Sequence, residues 1–224
     1  MPGHPCPSGG SAKPQGGFPT IQINDALNQM NRLGRYATFA TIALIAGALL
    51  GWSPLVHAND AALWKAAKTP GHVVLIRHAL APGTGDPPHF RVDDCSTQRN
   101  LSQEGRDQAR HIGKRFRQHA ISSANVQASQ WCRCLDTARL LDLGPVRANP
   151  LLNSFFANRA DATSQNTRLR AWIAAQSTDA PLILVTHQVN ITELTGVYPG
   201  SGEIVVAKRR SDGAVDVIGT IKTE

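Results

Sequence analysis

"VVLIRHALAPGTGDP", residues 73–87, decides how this chain is read. Four apolar β-formers, Val73 to Ile76, run straight into Arg77 and His78, and a loop rich in Gly and Pro follows. A short apolar run bounded by turn signals is the pattern of a strand buried on both faces. Charged groups are costly to bury. A strand that emerges at a sheet edge and delivers two phosphate-compatible side chains reconciles the two halves of the stretch, provided the rest of the chain supplies the other half of a site.

Working outward, strands and helices alternate. Residues 59–68 read as a short helix, 72–77 as the first strand, and 79–100 as a loop whose length in a compact domain marks a functional segment. Residues 101–119 carry a helix with Ser102 as N-cap and Glu104 in its first turn. Ala109, Ile112 and Phe116 give it an apolar stripe. A strand at 125–129 precedes a helix in "WCRCLDTARLLDL" with Leu135, Ala138 and Leu141 or Leu140 inward, stopped by Gly144 and Pro145. A third strand is expected in "PVRANP", a helix over 163–176, a strand over 181–186 and a short helix from about Gln188. A hairpin with its turn at Ser211-Asp212-Gly213 follows. This order predicts an α/β fold: a three-layer α/β/α sandwich with a mostly parallel central sheet and a C-terminal hairpin. In such sheets the site lies beyond the carboxyl ends of the strands. Three ends then carry the chemistry: Arg77-His78, Ser129 to Arg133, and Thr186-His187.

The chain has 224 residues, 42% of them hydrophobic, enough for a packed core. Its net charge is +7, of which residues 59–224 hold +5. The basic residues are scattered, so no nucleic-acid surface is expected, and a mild positive field suits an anionic substrate. Residues 1–29 contain a Gly-, Pro- and Ser-rich stretch and read as a disordered, mis-assigned extension upstream of Met30. Residues 30–58 form a secretory signal pattern: Arg32 and Arg35, an apolar run over 37–52, and small residues Val56 and Ala58 before a cleavage point. Uncleaved, the same segment is a membrane anchor, and membrane contact would come through it alone. The domain is therefore 59–224, periplasmic or secreted, or anchored facing the periplasm. In an oxidising compartment Cys95 is a disulfide candidate with Cys132 or Cys134, or it stays a reduced buried thiol. No CxxC and no Cys/His spacing typical of zinc is present, so no metal or cofactor is expected.

Two histidines and two arginines at strand ends suggest phosphoryl chemistry. Neutral imidazole is a nucleophile near pH 7, and guanidinium presents a fork matched to phosphate oxygens. The motifs "LIRHA" 75–79, "LSQEGRDQA" 101–109, "SQWCRCLDTARLL" 129–141 and "VTHQVNI" 185–191, taken in order, resemble the histidine phosphatase superfamily, the phosphoglycerate-mutase-like proteins, over about residues 72–208. The resemblance implies that His78 is phosphorylated during turnover and that Arg77, Arg133 and His187 hold the phosphoryl group. Thr84 falls where such proteins often place a polar pocket residue.

Three positions depart from the family pattern. Ala79 replaces a common glycine, and Gln188 stands where a glycine often follows the second histidine. Asn153 lies where many relatives carry a glutamate that protonates the leaving group. Asp86, in the loop after His78, is the preferred replacement, with Glu193 as the other nearby carboxyl. Residues 79–100 and 150–165 are expected to cover the site and select the substrate. Phe155 and Phe156 read mainly as core, and Arg159 is a candidate reader of a second anionic group. The expected activity is that of an exported, metal-independent phosphomonoesterase acting on a small-molecule or cell-envelope phosphate ester. The alternatives are a weak or inactive phosphate- or phosphosugar-binding module and a phosphoglycerate-type mutase. The sequence does not decide the oligomeric state.

Overall fold

Strand β1 (His72–Arg77) sits inside a six-stranded sheet, with its four apolar residues fully buried between helices on both faces. The computed structural model describes residues 55–223. Along the chain come α1 (Leu55–Ala67), β1, α2 (Gln103–Gln118), β2 (Asn125–Ala128) and α3 (Cys132–Leu141). They are followed by β3 (Val146–Ala148), α4 (Ala162–Ala174), β4 (Leu182–Thr186), α5 (Gln188–Thr195), β5 (Ile204–Arg209) and β6 (Val215–Ile221). The strand order is β3-β2-β4-β1-β5-β6. The first four pair in parallel, while β5 and β6 form an antiparallel hairpin that joins the sheet beside β1. The expected sandwich is therefore the observed fold.

The two faces follow the period-2 alternation of the strands. Val74, Ile76, Ile183, Val185 and Val206 point toward α1, α2 and α3, where they meet Leu63, Trp64, Ile112, Phe116 and Leu141. Val73, Leu75, Leu182, Leu184 and Val205 point the other way, toward Leu169 and Ile173 of α4 and Ile191 and Leu194 of α5. Ser102 caps α2 as expected, its hydroxyl accepting from the Gly105 amide at 3.1 Å. Two glycines let α2 sit close to its neighbours. A Cβ at Gly105 would lie 2.0 Å from the Leu80 carbonyl oxygen, and one at Gly113 would lie 2.0 Å from that of Leu141.

Some boundaries differ from expectation. The first helix begins at Leu55, four residues before the expected start, so its first turn overlaps the end of the expected leader. The rest of that leader and the expected extension over 1–29 lie outside the described residues. No helix among the described residues is long and apolar enough to cross a membrane. On α3 the buried face contains Arg133 and Thr137 beside Ala138 and Leu141, while Leu135 is only half-buried. That face serves a polar site as well as the core, which an apolar pattern alone does not reveal.

Register brings the functional strand ends level. Arg77 pairs with Thr186 and Ala128 with Val185. The His78 amide donates to the Thr186 carbonyl and the Ser129 amide to that of Val185, both at 2.9 Å. Because β4 lies between β1 and β2, the residues that follow these three strands emerge side by side.

Candidate active site

A cavity of about 150 Å³ opens at these strand ends. Arg77, His78, Arg133 and His187 line it together with Thr84, Asp86 and Arg99. Six of the seven candidates from the sequence thus converge on one cavity. Arg159 does not line the cavity. It is exposed in a 3-10 turn (Arg159–Asp161), with its guanidinium 5.6 Å from the ring centre of Phe156. Phe155 is buried as expected, whereas Phe156 is 46% exposed and lines the mouth of the cavity with Ser154 and Gln188. Glu193 is exposed on α5, away from the cavity lining.

His78 is fixed in one tautomer. Its Nδ1 lies 2.8 Å from the carbonyl oxygen of Ala79, an acceptor only, so Nδ1 carries the proton and Nε2 keeps its lone pair. Burial pushes the imidazole pKa down to about 3, and the charges of Arg133, Arg77 and Arg99 act in the same direction against the Ala79 hydrogen bond. The ring is therefore neutral through the physiological range, which is the form a nucleophile needs. The Ala79 amide donates to Thr137 Oγ1 at 3.0 Å, and that hydroxyl donates to the Arg133 carbonyl at 2.7 Å, tying the end of β1 to α3.

His187 faces His78 with ring centres 5.5 Å apart. Its Nε2 lies 2.9 Å from Ser129 Oγ, and its Nδ1 lies 3.4 Å from a terminal nitrogen of Arg133. Ser129 Oγ donates to Asn153 Oδ1 at 3.2 Å and so accepts from His187 Nε2–H. Nδ1 is then the acceptor that the arginine requires. Burial, followed by His78 and the three arginines, holds this imidazole well below its ordinary pKa. The Asn153 amide is committed to this network: Oδ1 also accepts from the Gln130 amide at 2.9 Å, and Nδ2 donates to Gln130 Oε1 at 2.8 Å. It orients Ser129 and carries no transferable proton.

Asp86 takes both terminal nitrogens of Arg133, at 2.6 and 3.1 Å. It also accepts from Trp131 Nε1 at 3.0 Å and from the Arg99 amide at 3.3 Å. Burial alone would raise its pKa, but these bonds and the Arg133 charge outweigh that and leave it below the ordinary carboxylate value. In the resting site Asp86 is an ionised anchor for Arg133 and does not carry the proton expected of a general acid.

Two arginines that line the cavity, Arg77 and Arg133, carry a buried Nε–H with no acceptor among the described residues. Arg170 Nε and Arg209 Nε, which line no part of this cavity, are unpartnered too, so the anion-binding character of the site rests on the guanidinium groups that meet there, not on the orphaned Nε atoms.

Arg99 is the cavity residue that reading the sequence missed. It donates from Nε to the Gly85 carbonyl at 2.7 Å and from a terminal nitrogen to the Ala81 carbonyl, bracing the loop that carries Asp86. Its signal was an arginine two residues before the "LSQEG" start of α2, inside a loop already read as functional. The same loop is bonded to α3 by a disulfide between Cys95 and Cys132, while Cys134 is free and buried. This resolves the open pairing in favour of Cys132.

Residues 73–167 match the model of the histidine phosphatase superfamily, branch 1. Among solved structures, a phosphoserine phosphatase from Entamoeba histolytica in complex with 3-phosphoglyceric acid matches with a TM-score of 0.52 at 13% identity, covering 68% of this chain and 98% of that one. The protein histidine phosphatase SixA complexed with tungstate matches with a TM-score of 0.50 at 16% identity, covering 68% and 97%. At these identities the likeness is one of fold. No curated protein matches the sequence.

Proposed function

Within the histidine phosphatase superfamily, whose model this chain matches, we propose that it is an exported phosphatase that hydrolyses a phosphate ester through a phosphohistidine on His78. The observation that carries the reading is a neutral His78 that keeps its Nε2 lone pair and lines one small cavity with Arg77 and Arg133. Nε2 attacks phosphorus, and the bond to the leaving oxygen breaks. Arg77 and Arg133 take charge from the equatorial oxygens, which is the main catalytic need in phosphoryl transfer. Arg133 keeps Asp86 on the end of its fork and lends its positive charge to the cavity. Water then cleaves the phosphohistidine, and its nitrogen regains the lone pair. The arginines supply the positive charge this scheme needs. Export is supported by the Cys95–Cys132 disulfide, because such bonds persist in oxidising compartments. The chemistry suits a cell-envelope or small-molecule phosphate.

The test is phosphate release from p-nitrophenyl phosphate with chelator present, beside His78→Ala, with trapping of the phosphoenzyme. Activity and label in the wild type, and neither in the variant, are expected. Equal turnover in both proteins would remove His78 from the mechanism. A second reading, a phosphate-binding module without turnover, draws on the ionised Asp86 and the amide at Asn153. Tight vanadate or phosphate binding without release of p-nitrophenol would favour it.

A further inference from the structure

Two features of the cavity bear on its substrate. The first is its supply of protons. Among the described residues Asp86 is the one carboxyl group lining it, and Arg133, Trp131 and the Arg99 amide occupy its oxygens. Asn153 has no proton to give, and the hydroxyls of Thr84 and Ser154 are far too weakly acidic. An alkyl phosphate would have to expel an alkoxide about as basic as hydroxide, whose parent water has a pKa of about 15.7. The second feature is a surplus of positive charge. Arg77 and Arg133 suffice for one phosphoryl group. Arg99 is a third guanidinium on the same cavity, and no described residue accepts from its remaining terminal nitrogen. The volume of about 150 Å³ is also small against typical ligand pockets of roughly 300–1,000 Å³. It admits the transferred group and the atoms next to it, and leaves the rest of the substrate outside.

Resting on the phosphohistidine reading above, we propose that the preferred substrates are phosphoanhydrides, the terminal phosphoryl group of a diphosphate, with Arg99 pairing to the leaving phosphate. That leaving group solves both problems. A phosphate monoester has its second pKa near about 6 and departs without an enzyme acid. It also brings the negative charge that a third arginine is placed to meet. The bond from His78 Nε2 to the terminal phosphorus forms as the bridging P–O bond breaks, and the electron pair stays on the leaving phosphate. Water then adds to phosphorus, and the P–N bond breaks with its pair returning to Nε2. One proton of that water stays on the released phosphate as its P–OH, and the other passes to solvent.

The experiment compares kcat/KM of the full protein, with chelator present, on inorganic pyrophosphate, p-nitrophenyl phosphate and glycerol 3-phosphate. Pyrophosphate and the aryl ester are expected to exceed glycerol 3-phosphate by about 100-fold or more, the usual scale of a missing general acid. Arg99→Gln should lower kcat/KM for pyrophosphate at least about tenfold more than for the aryl ester, since only the anhydride loses a charged partner. Glycerol 3-phosphate turned over as well as pyrophosphate would overturn the proposal while leaving the phosphohistidine intact. Equal losses on both substrates in Arg99→Gln would do the same. Silence on all three substrates would overturn both readings. The wild-type comparison stands whatever the folding of the variant.

Discussion

Asp86 meets Arg133 end-on, one carboxylate oxygen on each terminal nitrogen. The arginine is almost wholly buried, with 3% of its side chain exposed against 16% for the aspartate. A buried guanidinium without a counter-charge is costly, so this pair lets a charged arginine stand at the cavity wall.

Asp86→Asn keeps the shape and removes the charge. It should destabilise the fold by about 2–3 kcal/mol, less than the rupture of a fully buried pair because water reaches the aspartate. The folded-state pKa of Asp86 is depressed, so its stabilising contribution is present above the unfolded carboxylate value of about 3.9 and is lost as pH falls through the lower folded value. Denaturation midpoints for wild type and variant should therefore differ at pH 7 and converge toward pH 2. A gap that stays constant with pH would contradict the ion pair.

His78 gives a prediction of its own. Its folded pKa is about 3, against about 6.5 when unfolded. Between these values the unfolded chain binds the extra proton, so stability conferred at neutral pH is lost as the medium is acidified from 6.5 toward 3. Wild type should lose more stability than His78→Gln over that interval. The kcat/KM profile should also show no acid limb near pH 6.5 belonging to the nucleophile. A limb there that tracks with His78 substitution would count against a neutral buried ring.

The Cys95–Cys132 bond closes a loop across a sequence separation of 37. Chain-entropy arguments give such a bond on the order of 3–4 kcal/mol. Replacing both cysteines by serine should lower the denaturation midpoint accordingly. It should also lower kcat/KM, because the bond joins the loop of Asp86 and Arg99 to the helix of Arg133. Unchanged kinetics would mean that Gln98, the Asp86 pair and the stacking of Phe90 on Trp131 hold the loop unaided.

Gly105→Ala should destabilise by about 1–3 kcal/mol, the usual penalty for overpacking. The added methyl would meet the Leu80 carbonyl at 2.0 Å, two residues beyond His78. A loss of activity larger than the loss of folded protein is expected, read as kcat/KM per unit of folded enzyme by near-UV circular dichroism.

The strands and the four motifs were legible because burial on two faces leaves unbroken apolar runs, and Arg77-His78 and Thr186-His187 interrupt them abruptly. Arg99 was hidden because it lies in a loop with no period, where an arginine ordinarily points to solvent. Asp86 was found for its position but not for its pairing with Arg133. Sequence places a carboxylate near a site, but only the fork of Arg133 shows that its oxygens are already taken. Arg159 lies outside the cavity lining: a polar segment next to the site was read as facing it, while its guanidinium sits 5.6 Å from the ring centre of Phe156.

Cys134 sits two residues past the bonded Cys132 and is sealed in the core, with its sulfur 3.5 Å from His187 Nε2 and its thiol pKa pushed to about 12 by burial. A chain maturing under oxidising conditions could join any two of Cys95, Cys132 and Cys134. Either pairing that uses Cys134 would consume a sulfur that the native fold keeps buried on the helix that carries Arg133. With Cys95 joined to Cys132, the third thiol stays sealed in the core beside His187, so the choice of sulfurs and the shape of the site are tied together.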